Sequence, residues 1–139
     1  MKVNMLTSDS LANIRTFVLG GTGIICLVYA CMALLLGRPD PMPFWIPGLA
    51  GLCSGIIITL AARAAGPRNT EQAVDEGYLA DTHRAQRFAY WVSLLLYPVF
   101  GLLLMQGWVS WSVAFAAMDT LTGAAYLLLF VWFDLQGRR

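Results

Sequence analysis

The chain has 139 residues, of which 58% are hydrophobic and only 12% charged. Soluble domains carry about 25% charged residues, so this composition excludes an ordinary water-soluble domain and points to the bilayer. A formal net charge of +1 excludes the basic stripe of a nucleic-acid binder, and the length suits a single integral membrane domain covering 1–139.

Residues 1–15 form a polar lead-in with Lys2, Asp9 and Arg15. An uncharged run follows over 16–36 and predicts the first span. It exceeds the roughly 7–15 residues of a signal-peptide core, so a retained helix is expected. Pro39, Pro41 and Pro43 then make a short connection that cannot continue a helix. A loop this short predicts an antiparallel neighbour over 44–62, with Trp45 as an interfacial anchor and Pro47 in the first turn.

The segment 63–87 holds eight of the seventeen acidic and basic residues. Gly66-Pro67 should stop the second span. Asn69, with Gln72 three residues later, predicts an N-cap and capping box. Val74, Tyr78, Ala85 and Phe88 recur at near-helical spacing, and Asp81 with Arg84 makes an i,i+3 opposite pair. A short interfacial helix is therefore expected over 70–86, weakened at Gly77. The third span, 88–105, opens on Phe88, Tyr90 and Trp91 and carries Pro98 near its centre, where a kink is expected. Gln106-Gly107 is the whole turn before the fourth span, 108–133. The fold class is thus all-α: an antiparallel bundle of four transmembrane helices with a short cytoplasmic interfacial helix.

Lys and Arg beside the spans set the orientation. Lys2, Arg15, Arg63, Arg68, Arg84, Arg87, Arg138 and Arg139 fall on one side and Arg38 alone on the other. Both termini and the 63–87 segment are expected in the cytoplasm, in a bacterial inner membrane.

Membrane helices pack through small residues and polar contacts. Candidate packing positions are Gly20 and Gly23 in the first span, Gly51 and Gly55 in the second, and Ala116, Thr120 and Gly123 in the fourth. They suit contacts within the bundle or between protomers. Asp119 sits close to the middle of the fourth span. A carboxylate there costs about 2.5–3.5 kcal/mol on insertion scales, so it should face protein or water. Counting from the span midpoints places it level with Ser54 and Tyr97, while Thr122 and Tyr126 lie on its own broad face. These five form a candidate intramembrane polar site. It reads either as a structural hydrogen-bonding node or as a proton, cation or substrate site.

No catalytic constellation is assembled. Cys26, Cys31 and Cys53 all lie in apolar runs and suit packing. With one histidine, His83, in the chain, neither a zinc site nor bis-histidine haem is expected, and no cofactor is. Two resemblances follow. Four spans with one buried acid in a short chain resemble the architecture of the small multidrug resistance exporters. Those carry their glutamate in the first span, which has no acid here, so no site is carried over. Asp75-Glu76, then Arg84-Ala85 and the aromatic start of the third span, resemble the Asp-Glu…Lys/Arg-Ala pattern of small prokaryotic membrane proteins of the domain-of-unknown-function 2178 type. Gly77 stands where an arginine usually follows. This resemblance implies a membrane topology and no reaction.

Two functions fit the sequence. One is a non-enzymatic accessory subunit or regulator that binds other membrane subunits or its own copies through helix contacts, with 63–87 offered to a cytoplasmic protein. The other is a small oligomeric transporter or channel with Asp119 at the pathway. Nucleic acid is not an expected partner.

Overall fold

A computed structural model of the chain describes residues 6–137. Lys2, Arg138 and Arg139, which enter the charge count, lie outside the described residues. The described chain forms four α-helices: α1 (Ser8–Leu36), α2 (Trp45–Ala73), α3 (Glu76–Met105) and α4 (Trp111–Gly137). Each is long and apolar enough to cross a membrane. At 1.5 Å per residue they measure about 40–45 Å, so their polar ends project beyond a hydrocarbon core of roughly 30 Å.

Local chemistry sets the ends. The Thr7 hydroxyl accepts from the Ser10 amide at 3.2 Å and starts α1. Gly37 closes α1, with its N–H on the Ala33 carbonyl. The Tyr29 hydroxyl then donates to the Pro39 carbonyl at 2.9 Å and ties the proline loop back to α1.

The main packing joins α1 to α2 and α4, and α3 to α4. The spatial order is therefore α2–α1–α4–α3, with α1 and α4 as the central pair. A third of the most apolar window of each central helix is buried, against 6% for α2 and 11% for α3. The central contact is close. A Cβ added at Gly23 would meet Leu128 at 2.9 Å and Leu127 at 3.1 Å, while one at Gly20 would meet Val131 at 3.6 Å. Because partner numbers fall as α1 numbers rise, α1 and α4 are antiparallel. The start of α1, the end of α2, the start of α3 and the end of α4 thus share one end of the bundle.

The 63–87 segment differs from expectation. It holds no separate interfacial helix. Instead α2 continues to Ala73, and α3 starts at Glu76 and runs without interruption into the third span. Gly66-Pro67 bends α2 and does not stop it. Gly66 has φ 80° and ψ 168°, a backbone region essentially open only to glycine, and its extended ψ is what a following proline requires. The Thr70 hydroxyl lies 2.8 Å from the Gly66 carbonyl and 3.0 Å from that of Ala62, and can donate to either. Asn69 caps nothing; its amide donates to the Leu6 and Ala65 carbonyls. The break falls at Val74–Asp75, before Gly77, because the Asp75 carboxylate accepts from the Tyr78 amide at 2.8 Å and caps α3. Pro98 lies inside α3, which continues through it to Met105.

Candidate functional site

The candidate polar residues do not converge. Asp119 is exposed on the surface of α4, with the Cys26 thiol of α1 within its electrostatic reach. Tyr97 on α3 is 66% exposed. Ser54 on α2 is buried, but its hydroxyl pairs with that of Thr22 on α1 and lies 2.7 Å from the Ala50 carbonyl. Thr122 donates within its own helix to Met118, and Tyr126 is half-buried on α4. Among the described residues no hydrogen bond joins Asp119 to Ser54 or Tyr97.

The packing residues divide in the same way. Gly20 and Gly23 face α4, and Gly23 permits the close approach described above. Gly51 and Gly55 are exposed and Gly123 is half-buried, and no neighbour lies within 4 Å of where a side chain would start at any of the three. Ala116 and Thr120 are half-buried, with the Thr120 hydroxyl donating to the Ala116 carbonyl at 2.7 Å.

The densest polar arrangement sits at the end where all four helices meet, around Arg15. This side chain is 8% exposed, and its Nη2 lies 3.0 Å from Asp134 Oδ1, also 8% exposed. Nη1 donates to the Ala73 carbonyl at 2.9 Å. That carbonyl belongs to the last turn of α2, where helix geometry leaves acceptors unpaired and a cation is favoured. The guanidinium lies 4.1 Å from the Tyr78 ring centroid of α3 and 5.6 Å from that of Phe130 on α4; the two rings meet edge-on at 5.6 Å. Thr16 donates to the second carboxylate oxygen of Asp134. One side chain of α1 therefore touches the other three helices. Asp134 needs this partner, since an acid near a helix C-terminus opposes the dipole. Arg15 Nε is buried with no hydrogen-bond partner among the described residues.

A cleft of about 520 Å³ opens beside this pair, with Asp9, Asp75, Asp81, Asn13 and Gln72 on its walls. Asp9, Asp75 and Asp81 thus line the cleft beside Arg15, while Glu71 and Glu76 at the same end are exposed outside it. By contrast Arg63, Arg68, Arg84 and Arg87 are exposed and make no ion pair among the described residues. No group of three or more His, Cys, Asp or Glu among the described residues could hold a metal ion.

Arg15 enters the sequence reading only as a flanking charge, and Asp134 does not enter it. A signal was available. Arg15 immediately precedes the first uncharged run and Asp134 immediately follows the last, so in an antiparallel four-helix chain they reach the same end with opposite charge. Compared with protein families, with curated proteins and with solved structures, the chain matches none.

Proposed function

We propose that this chain is a non-enzymatic integral membrane protein, an accessory subunit or regulator that works by binding other transmembrane helices or copies of itself. The observation that carries the reading is the exposure of Asp119. It lies about 12 Å along α4 from Trp111 by helix rise, within the apolar span, where the chain's own helices leave it uncovered. A charge facing lipid there costs about 2.5–3.5 kcal/mol, and a partner helix with a polar group removes that cost. Phe115, Asp119, Thr122 and Tyr126 follow one another at intervals of four, three and four, so one face of α4 presents them together. In this reading the buried polar side chains serve packing, Ser54 pairing with Thr22 and Arg15 with Asp134.

The same proposal places the chain in a bacterial inner membrane with both termini in the cytoplasm, from the distribution of Lys and Arg. The bend between α2 and α3 then lies on the cytoplasmic side, where exposed Glu71, Gln72, Glu76 and His83 are open to a soluble partner.

The test compares tagged wild type with Asp119→Asn and Asp119→Leu, extracted in mild detergent, and measures proton and cation flux in liposomes. Asn keeps the shape and a hydrogen-bonding group, so partners should copurify with it as with wild type. Leu removes a contact worth about 0.6–2 kcal/mol in a membrane and should lose them, while none of the three proteins conducts. Wild-type flux abolished in the Asn variant would replace this reading with the transporter.

A further inference from the structure

On α2, Leu52, Gly55, Ile56, Thr59, Leu60 and Arg63 line a shallow groove of about 420 Å³. Their spacing puts all six on one helical face. The groove exists because Gly55 carries no side chain and nothing approaches within 4 Å of that position. Thr59 does not make it polar, since its hydroxyl is turned into its own helix and donates to the Gly55 carbonyl at 2.7 Å. What remains is an apolar channel with one cation at its end.

Length and charge favour one class of occupant. From Leu52 to Arg63 the helix rises about 16 Å, close to one leaflet of a hydrocarbon core of roughly 30 Å. Arg63 lies three residues before the Gly66 bend, at the bundle end that holds the start of α1 and the end of α4. In the membrane orientation proposed above, that is the depth of lipid headgroups. Arg63 is exposed and has no ion-pair partner among the described residues, and three acids of that end, Asp9, Asp75 and Asp81, line the cleft around Arg15 instead. A second copy suits the groove less well. Pairing α2 with itself about a two-fold axis along the membrane normal would run the helices parallel and set one Arg63 beside the other, a like-charge contact.

We propose that this face of α2 is a binding site for one anionic glycerophospholipid, with an acyl chain along Gly55 and the headgroup phosphate on Arg63. Basic positions at the membrane surface attract anionic headgroups in this way. The site is separate from the Asp119 face, and either can fail without the other.

The experiment is native mass spectrometry of the full chain in detergent with equimolar dioleoyl phosphatidylglycerol and dioleoyl phosphatidylcholine. Wild type should retain one phosphatidylglycerol with about fivefold preference, the increment one basic residue adds at an anionic surface. Arg63→Gln should bring the ratio near unity. Gly55→Leu, which fills the groove and meets no neighbour, should lower retention of both lipids. Arg68→Gln, beyond the bend, should keep the preference. Equal retention by wild type, an unchanged ratio in Arg63→Gln, or an equal loss in Arg68→Gln would overturn the proposal. So would a wild-type pair of chains that Gly55→Leu separates, because the groove would then belong to a second copy.

Discussion

Removing the Arg15 guanidinium would strand a buried carboxyl, and removing Asp134 would strand a buried cation. The two losses are not equivalent. A carboxyl can take up a proton, but a guanidinium cannot lose one in a protein. Breaking a buried pair by deleting one partner costs about 3–5 kcal/mol. Asp134→Leu should show a loss of that size, Arg15→Met a smaller one, and the double variant should recover much of the difference. Thermal unfolding of all four proteins in one detergent, read as a double-mutant cycle, measures this. Additive losses would mean that the pair does not couple α1 to α4. At this scale the sequence revealed residues more readily than their partners. Asp119 stands out as an acid in an apolar run, yet its exposure depends on which helices flank α4. Arg15 and Asp134 are far apart in sequence and meet only because α1 and α4 lie side by side, which the loop lengths do not encode.

The elements themselves were legible as apolar runs, and each expected span supplies most of one helix, with Phe44 and 108–110 left outside. α1 and α3 end where their apolar runs end, at Leu36 and Met105, and α4 starts at Trp111, three residues into its run. At the end of the bundle where the polar flanks find partners, the helices outlast their apolar runs. Residues 8–15 continue α1 toward its Thr7 cap, and 67–73 extend α2 through Thr70 and Asn69. The bend at Gly66 turns the end of α2 so that the Ala73 carbonyl reaches Arg15. Gly66→Ala forces a side chain into φ 80°, ψ 168° and should cost about 1–3 kcal/mol. It should also raise amide exchange over 67–73. Unchanged stability and protection in that variant would show that the bend does not hold the contact. The capping box that Asn69 and Gln72 suggest misleads for a physical reason: the Asn69 amide serves two carbonyls when a helix passes through the position.

At the scale of the whole molecule, the α2–α1–α4–α3 order leaves the flanking helices mostly open to their surroundings. This is compatible with a membrane, where lipid covers apolar faces, and it leaves Asp119 as the face lipid serves badly. Orientation is testable independently. In a background lacking Cys26, Cys31 and Cys53, an impermeant thiol reagent applied to intact cells should label Asp40→Cys and spare Glu71→Cys. The reverse pattern would invert the topology and move the exposed arginines to the outer face. The central claim is that Asp119 marks a surface covered by a partner, and the most direct measurement is the protein mass of particles extracted from membranes in polymer nanodiscs. Wild type and Asp119→Asn should exceed the 15.2 kDa of one chain, while Asp119→Leu falls to that mass. Wild-type particles holding a single 15.2 kDa chain would contradict the account.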